Sequence, residues 1–339
     1  MFFKINANIT HVARCEALPR DAPAAALPPK RTRDGRAARG GVTRQSHVTS
    51  LLFFHTQAHT SLQPTTQASS PNSGVAVSFE GKIVWITGAS SGIGEALAYA
   101  LATRGARLIL SARRAARLQE VQAACAHPDR HVVLPLDLAD AASLEAAARQ
   151  ALDAAGPIDV LINNGGVSQC ALALDTELAV DRRIMDVNYF GAVALTKAVL
   201  PSMLARGAGR LVVVTSVVGK FGSPWRSAYS ASKHALHGFF DSLRAEVHEA
   251  GLRVTLVCPG FVRTDVSLHA LTGDGTPQGT MDAGQQRGLA VEVCAARIVR
   301  AIEREKDEVY FGGKEAMAVY LKRFWPGLFN RIIRRAKVT

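Results

Sequence analysis

One stretch sets the architecture of the chain: Lys82-Ile83-Val84-Trp85-Ile86-Thr87-Gly88-Ala89-Ser90-Ser91-Gly92-Ile93-Gly94. Its first part is an apolar run, which is typical of a buried strand. The residues that follow, Glu95-Ala96-Leu97-Ala98-Tyr99-Ala100-Leu101, have high helix propensity and an apolar stripe. Because a glycine-rich turn joins the two, the stretch predicts a strand, a tight turn and a helix in direct succession.

The three glycines of the turn indicate what it binds. Gly88 permits the tight turn, Gly92 lets the backbone approach a ligand, and Gly94 allows the helix to pack closely on the strand. The N–H groups of the turn and the positive end of the helix dipole would then face phosphates. An ordinary glycine-rich connection is the alternative, but the flanking strand and helix favour a dinucleotide-binding turn. Its predicted contacts are Gly88, Ser90, Ser91, Gly92, Ile93 and Gly94.

A second signal is Tyr229-Ser230-Ala231-Ser232-Lys233, with Ser216 upstream of it. A tyrosine and a lysine four residues apart share one face of a helix, so the phenol and the ammonium can act on the same group. A cation roughly 4 Å away would lower the phenol pKa from about 10 to about 7, where a proton donor to a carbonyl is most useful. Taken alone, the spacing also fits an exposed helix pair.

Further motifs follow in a fixed order. They are Asn163-Asn164-Gly165-Gly166, Asn188 within Asp186-Val187-Asn188-Tyr189, Ser216 at the end of the apolar run 210–215, and Pro259-Gly260-Phe261-Val262-Arg263-Thr264. With the GxxxGxG spacing of the turn and the Tyr–Lys pair, they resemble the short-chain dehydrogenase/reductase family over residues 80 to about 312. The resemblance implies a nicotinamide-dependent oxidoreductase.

Within that family, the chain is similar to the subgroup that contains dehydrogenase/reductase SDR family member 7. The likeness rests on residues 85–95, 110–114, 134–138 and 163–169. It implies reduction of retinoid, steroid and other bulky carbonyls with NADPH. Gly165 stands where the family usually has alanine, so the pocket is expected to differ slightly beside the cofactor path.

Four residues carry the predicted catalysis: Asn188, Ser216, Tyr229 and Lys233. A ketone under reduction develops negative charge on oxygen, so the Ser216 hydroxyl would hold that oxygen and Tyr229 would supply the proton. The resemblance adds that Lys233 binds the nicotinamide ribose hydroxyls and that Asn188 holds a water linking Lys233 to solvent. Taken singly, Ser216 is also an ordinary strand-end serine and Asn188 an ordinary helix-terminal residue.

The end of the apolar run 107–111 predicts which nicotinamide is used. An NAD enzyme places an acidic residue there to accept from the ribose hydroxyls, whereas this chain has Ala112 followed by Arg113 and Arg114. Guanidinium groups match a 2′-phosphate in charge and geometry, and Ser111 would add a neutral donor. We therefore expect NADP(H). The alternative is that the arginines only begin a solvated helix.

The remaining cofactor contacts follow from the resemblance. It places Asp137-Leu138 where the family's aspartate meets the adenine amino group. From the residues themselves, Asp137 could equally cap the helix that begins near Ala141. The other contacts that the resemblance assigns are Asn164, Tyr229, Lys233, Val262 and Thr264.

Seven apolar runs alternate with helical stretches, near 83–87, 107–111, 132–136, 158–162, 210–215, 253–258 and 308–311. This alternation predicts an α/β, Rossmann-like fold with a doubly wound parallel sheet of seven strands, in a single domain over 80–312. The ligand crevice is expected at the carboxyl ends of the strands. Residues 266–290 are expected to form a mobile substrate lid, with a plain surface loop as the alternative.

The positive charge lies at the two ends of the chain. The net charge is +12, and residues 1–79 and 313–339 each contribute six of it, which leaves the central domain near neutral. Nucleic-acid binding is not expected, because the centre has no basic excess and no such motif. Residues 1–79 lack sustained periodicity, and we expect a disordered leader, a misplaced start codon or a transit peptide.

Residues 313–339 form a basic, amphipathic tail. Phe324-Trp325 and Leu328-Phe329 are interleaved with Lys322 and Arg323, a pattern that suits a helix lying peripherally in an anionic membrane interface. Packing over the substrate pocket or against a partner subunit is the equal alternative. The five dispersed cysteines predict a reducing, cytoplasmic location, with neither a disulfide framework nor a metal site.

Three functions fit these observations. The first is an NADPH-dependent carbonyl reductase acting on a bulky apolar substrate, and the second is a 3-oxoacyl or 3-oxo-lipid reductase. The third is a non-catalytic NADP-binding sensor or scaffold, which the intact Ser216, Tyr229 and Lys233 disfavour. The resemblance also implies a homo-oligomer, a dimer or tetramer, formed through the long helices near 189–206 and 226–250.

Overall fold

The computed structural model of the protein describes residues 77–336. The leader predicted for residues 1–79 lies outside this range except for its last three residues. Those residues join the fold, because the Val77 N–H donates to the Glu303 carbonyl and the Phe79 side chain is buried in the core. The folded domain therefore includes residues before the predicted boundary at 80.

A parallel sheet of seven strands runs through the described part of the chain, as the sequence predicted. The strands are β1 (Ile83–Thr87), β2 (Arg107–Ser111), β3 (Val132–Val133), β4 (Val160–Asn163), β5 (Gly209–Val214), β6 (Leu252–Pro259) and β7 (Glu308–Phe311). Their order across the sheet is β3-β2-β1-β4-β5-β6-β7, and every pairing is parallel.

Helices cover both faces of this sheet. They are α1 (Gly92–Ala102), α2 (Ala115–Ala124), α3 (Ala141–Ala155), α4 (Leu178–Met185), α5 (Gly191–Arg206), α6 (Ser227–Val247), α7 (Ala283–Gln286), α8 (Val291–Glu303), α9 (Lys314–Phe324) and α10 (Pro326–Ile333). Side chains of β1 alternate between two apolar layers. Val84 and Ile86 pack with α1 and α8, whereas Ile83 and Trp85 pack with α3, α5 and α6.

The edge strand β3 is shorter than predicted. The apolar run 132–136 contributes only two strand residues, because Pro135 has no N–H to donate to a ladder. The chain nevertheless stays beside β2, since the N–H groups of Leu134 and Leu136 donate to Leu110 and Ala112. This arrangement carries Asp137 to the carboxyl end of the sheet.

The strand order reverses between β1 and β4, which creates a crevice at their carboxyl ends. The turn after β1 and the segment after β4 meet there. A Cβ atom on Gly88 would lie 2.8 Å from the Gly165 Cα, so the two backbones approach more closely than side chains allow. The crevice therefore lies at the position that the sequence predicted.

A π-helical turn, Asp186–Phe190, separates α4 from α5 and places Asn188 inside the protein. Such turns within a helix frequently occur at functional sites. The continuous helical stretch Leu178–Arg206 is long and apolar enough to cross a membrane by length and composition. Half of its most apolar window is buried in this fold, where α5 packs against α3 and the sheet.

The last two helices pack on the domain itself. Val319 of α9 and Phe329 of α10 are buried with Val217 and Phe221, which follow β5. The rings of Phe221 and Phe329 have centroids 5.2 Å apart. Of the alternatives for the tail, packing over the pocket is therefore present in the structure.

Candidate active site

A cavity of about 680 Å³ opens at the carboxyl ends of β1, β2, β4, β5 and β6. Most of the residues that the sequence analysis singled out line it. They are Gly88, Ser90, Ser91, Gly92, Ile93, Arg113, Arg114, Asp137, Leu138, Asn164, Ser216, Tyr229, Lys233, Val262 and Thr264. Gly94, Ser111 and Asn188 lie outside its lining.

The glycine turn has the geometry that its sequence requires. Gly88 and Gly92 adopt positive φ values of +66° and +58°, which glycine reaches without strain. A Cβ on Gly94 would overlap the Gly88 carbonyl, so Gly94 permits close packing of helix on strand without itself lining the cavity. Ser91, at the N-terminus of α1, makes no side-chain capping bond, and Ser91, Gly92 and Ile93 line the cavity.

Asn164 braces the turn from the neighbouring strand. Its side-chain amide donates to the Thr87 carbonyl at 3.0 Å and to the Gly88 carbonyl at 3.3 Å. The Thr87 hydroxyl in turn accepts from the N–H groups of Asn164 and Gly165, each at 3.0 Å. Thr87 is thus a structural member of the site that the sequence reading did not single out.

The space beside Gly165 is occupied by Leu138. A Cβ on Gly165 would lie 2.5 Å from the Leu138 Cδ1 atom. The pocket is therefore not widened at Gly165, because the Leu138 side chain fills the volume that an alanine methyl group would occupy.

Ser216, Tyr229 and Lys233 face the same part of the cavity. The Ser216 hydroxyl accepts from the Val218 N–H and donates to the Pro259 carbonyl, both at 3.3 Å. The Lys233 ammonium is buried, donates to the Val214 carbonyl at 3.0 Å and lies 5.7 Å from the centre of the Tyr229 ring. The structure therefore brings the predicted hydroxyl, phenol and ammonium together.

Asn188 lies behind this group rather than in it. Its side-chain oxygen accepts from the Val167 N–H at 2.8 Å, and its NH₂ donates to the Val167 carbonyl at 2.9 Å and to the Ser232 hydroxyl at 3.0 Å. Both ends of the amide are thus engaged in holding the segment after β4 against α6. The water-holding role that the resemblance implied for Asn188 stays a prediction.

The electrostatics of Tyr229 and Lys233 differ from the sequence expectation. Burial lowers the pKa of Lys233 to about 8, because an ammonium loses its hydration there. Burial also raises the pKa of Tyr229, while the nearby Arg226 guanidinium and Ser216 hydroxyl act in the opposite direction. The expectation that Lys233 brings the Tyr229 pKa to about 7 is therefore wrong for this structure. Desolvation of the phenolate is the dominant effect.

The second strand ends in a basic rim. Arg113 and Arg114 line the cavity, and the Arg114 guanidinium donates to the Ser90 hydroxyl of the glycine turn at 3.3 Å. Ser111 was predicted to contact the cofactor, but it does not line the cavity. Its hydroxyl is fully buried and accepts from the indole N–H of Trp85 at 2.8 Å, because the strand alternation turns it into the core.

Asp137 lines the cavity and does not cap α3. Its carboxylate accepts from the Ala139 N–H at 3.0 Å. Asp140 is the capping residue instead, since its carboxylate accepts from the Ser143 N–H. The capping alternative for Asp137 is therefore wrong, which leaves this carboxylate at the edge of the cavity.

The segment predicted as a substrate lid borders the cavity. Val266, Ser267 and His269 belong to the lining. Backbone hydrogen bonds tie Leu271 to Ser168 at 2.9 Å and to Cys170 at 2.8 Å. The segment is thus anchored beside the site, and its motion stays a prediction.

One group of potential metal ligands lies away from the cavity lining within the described residues: His237, Cys258 and Glu308. The Lys220 ammonium pairs with the Glu308 carboxylate at 2.7 Å. Burial lowers the pKa of His237 to about 4 and raises that of the Cys258 thiol to about 12. Both shifts disfavour the charged forms of these side chains, and a cation would have to compete with the lysine. Sequence spacing could not reveal this group, because its members are separated along the chain.

Sequence reasoning assigned no role to three buried polar residues that meet at the start of α6: Gln169, Arg226 and Asp282. Arg226 lies three residues before the tyrosine, which is a readable helical spacing. Gln169 and Asp282 have no local signal, since only the tertiary fold brings them to α6.

A family model described as short chain dehydrogenase matches residues 82–272. The chain belongs to the short-chain dehydrogenase/reductase family. It is 46% identical over 264 residues to a dehydrogenase/reductase SDR family protein 7-like of Anopheles gambiae, covering 75% of this chain and 83% of that protein. The subgroup resemblance is thereby confirmed.

Two solved structures are similar in fold. A short chain dehydrogenase from Burkholderia cenocepacia, in complex with NADP, has a TM-score of 0.64 and 27% identity, covering 77% of this chain and all of that one. A short chain dehydrogenase/reductase from Burkholderia phymatum, in complex with NAD, has a TM-score of 0.64 and 25% identity over 78% and 98% of the two chains. The enzyme is thus a Rossmann-fold oxidoreductase that uses a nicotinamide cofactor.

Proposed function

We propose that the enzyme interconverts a bulky apolar carbonyl compound and its alcohol with NADP(H). The observation that carries this proposal is the convergence of Ser216, Tyr229 and Lys233 on one cavity with the glycine turn. A hydroxyl and a phenol facing the same space can hold and protonate a developing alkoxide.

The residues around the turn fit a dinucleotide. Because Gly88 and Gly92 have no side chains, the backbone of the turn is open to a ligand. The N-terminus of α1 adjoins the cavity and has no side-chain cap. When bound, the cofactor supplies or accepts the hydride. Lys233, buried beside Tyr229, would hold the nicotinamide ribose by its ammonium, and Asp137 at the rim would meet the adenine.

NADP(H) is supported over NAD(H) by the charges at the end of β2. Arg113 and Arg114 both line the cavity, and the strand end offers Ala112 where an acceptor for ribose hydroxyls would be needed. A guanidinium pairs with a phosphate through parallel hydrogen bonds, whereas two ribose hydroxyls need an acceptor that arginine lacks.

In the reductive direction, Ser216 donates a hydrogen bond to the carbonyl oxygen and gives up its bond to Pro259. Tyr229 then transfers its phenolic proton to the oxygen as negative charge develops there. Burial raises the pKa of Tyr229, which favours the protonated phenol before reaction. Lys233 favours the phenolate that this transfer leaves behind, and reprotonation completes the cycle.

The cavity walls support a bulky apolar substrate. Val217 and Phe221 pack with Leu321, Phe329 and Ile333 of the terminal helices into one apolar wall of the cavity. Such a wall can enclose the ring system or long chain of an apolar substrate.

The test is a panel of steroid, retinoid, aromatic and 3-oxoacyl carbonyls with NADPH, with the alcohol product identified by mass spectrometry. We expect turnover of bulky ring carbonyls. Preferred turnover of 3-oxoacyl compounds would instead support the 3-oxoacyl or 3-oxo-lipid reductase alternative. Absence of turnover with tight NADPH binding would support the sensor or scaffold.

We propose further that the outer face of α9 and α10 contacts an anionic membrane surface. The inner face of these helices is buried, whereas their outer face exposes several large apolar side chains. These are Met317, Tyr320, Phe324, Trp325 and Leu328. Lys322, Arg323 and Arg331 lie among them, which matches the charge of acidic lipid headgroups.

The tail should therefore bind vesicles in a charge-dependent manner. We expect flotation of the full chain with vesicles rich in phosphatidylserine, and little flotation with pure phosphatidylcholine. Replacing Phe324, Trp325 and Leu328 by serine should abolish flotation while leaving the buried Val319 and Phe329 in place. Unchanged flotation of this variant would contradict the membrane contact.

The expected homo-oligomer, its cytoplasmic location and the absence of a nucleic-acid partner stay proposals. Exposed Phe190 and Leu204, at the two ends of the α5 region, offer apolar surface to a second copy. Light scattering of the purified full chain would measure whether it is a dimer or a tetramer.

A further inference from the structure

Arg226 is an unusual residue for its position. It directly precedes α6, lies three residues before Tyr229 and is only 7% exposed although it carries a full charge. It also lines the catalytic cavity. Buried charges are costly unless they are paired and hydrogen-bonded, so the contacts of this guanidinium should show why the fold retains it.

The guanidinium is held from three sides. It donates to the Ser168 hydroxyl at 3.2 Å and to the Gln169 carbonyl, and it forms an ion pair with the Asp282 carboxylate. The Asp282 side chain is 3% exposed and accepts a further hydrogen bond from Gln278 at 2.9 Å. The charge is therefore fixed in place and shielded from water.

The same contacts fasten the first turn of the catalytic helix. The Gln169 side chain accepts from the N–H groups of Ala228 at 2.8 Å and Tyr229 at 3.3 Å, which caps α6, while its carbonyl binds Arg226. Arg226 and Gln169 thus interlock the segment after β4 with the helix that carries Tyr229. Asp282 adds the segment after β6 to this junction.

We propose that Arg226 is a positioning residue for Tyr229. Its guanidinium holds a fixed positive charge one helical turn before the phenol, and the Asp282 carboxylate sets how strongly this charge stabilises the phenolate. The inference rests on the proposed role of Tyr229 as proton donor. Lys233 lies one turn after the tyrosine on α6, so a basic residue lies on each side of Tyr229 along the chain.

Other charged groups face the same cavity. From the remaining elements they are Arg113, Arg114, Asp137, Arg183, Asp265, His269 and Glu315. Arg226 acts in the direction that lowers the Tyr229 pKa, whereas burial raises it. Asp282 is an anion beside Arg226 and therefore offsets part of its effect. Removing the cation and removing the anion should consequently move the phenol pKa in opposite directions.

The test uses Arg226→Gln, Arg226→Lys and Asp282→Asn in the full chain. The measured quantity is the pH dependence of kcat for alcohol oxidation with NADP⁺, where the active form is the phenolate. We expect its acidic limb to move up by about one pH unit in Arg226→Gln and down by about one unit in Asp282→Asn. Arg226→Lys should stay close to the original profile, and NADPH affinity should change less than about twofold.

A second readout separates this inference from the proposed function. Ultraviolet difference titration of the tyrosinate, with Tyr229→Phe as the blank, reports the Tyr229 pKa without any turnover. Opposite shifts in the two variants support the inference even if no carbonyl substrate is found. Shifts of the Tyr229 pKa in the same direction, or no shift, would overturn the inference. If Arg226→Gln does not fold, the comparison of the Tyr229 pKa in Asp282→Asn with that in Arg226→Lys decides the question.

Discussion

Tyr229→Phe is expected to lower kcat for carbonyl reduction by a factor on the order of 10³. The substitution removes the only phenol that shares the cavity with Ser216 and Lys233 among the described residues, and it leaves the ring in place. The cavity keeps its shape, so the NADPH dissociation constant should change by less than about threefold. Steady-state kinetics with NADPH and equilibrium fluorescence titration measure the two quantities separately.

Tyr320→Phe is the matched control for this substitution. Tyr320 is about half exposed on α9 and lies outside the cavity lining, so its hydroxyl should be dispensable for turnover. If Tyr229→Phe retained more than about a tenth of the activity, the assignment of the proton donor would be wrong. If it lost NADPH binding as well, the tyrosine would be part of the cofactor site first.

Arg113→Asp is expected to reverse the proposed preference for NADP(H) over NAD(H). The new carboxylate would repel a 2′-phosphate and could accept from the ribose hydroxyls of NAD, so both effects act in the same direction. We expect the ratio of kcat/KM for NADPH over NADH to fall by a factor on the order of 10² or more. Initial rates with each coenzyme at a fixed carbonyl concentration provide the ratio.

Arg107→Asp makes the same exchange at the opposite end of the strand. Arg107 is exposed at the start of β2 and does not line the cavity, so the coenzyme ratio should stay unchanged. An equal fall in both variants would assign the effect to net charge. An unchanged ratio in Arg113→Asp would contradict NADP(H) recognition by this rim.

The sequence predicted the fold well because its signals are local. The strands β1, β2 and β7 have the predicted bounds, and for β1 and β2 the reason is that contiguous apolar runs bury both faces of a parallel strand. The glycine turn was readable for a similar reason, because only glycine reaches the positive φ of Gly88 and Gly92 without strain. The order of the motifs along the chain then placed Ser216 and Tyr229 at the same end of the sheet, where the strands have their carboxyl ends.

The sequence-based predictions that were wrong depend on the direction of a side chain and on desolvation. Ser111 ends its strand on the core side, and no composition or spacing tells that face from the cavity face. The pKa of Tyr229 depends on burial, which the Tyr–Lys spacing does not contain. Asp282 contacts Arg226 only because the segment after β6 folds back onto the start of α6. The sequence alone therefore could not predict the role of Asp282.

The central claim is hydride transfer to a carbonyl carbon with proton delivery from Tyr229, and isotope transfer tests it most directly. The enzyme would be supplied with a turned-over carbonyl and NADPH deuterated at either face of the nicotinamide C4, and the product alcohol analysed by mass spectrometry. We predict one deuterium on the carbinol carbon from one face only, and formation of the same deuterated alcohol more slowly in Tyr229→Phe, by a factor on the order of 10³. An alcohol formed without deuterium from either face would contradict the account.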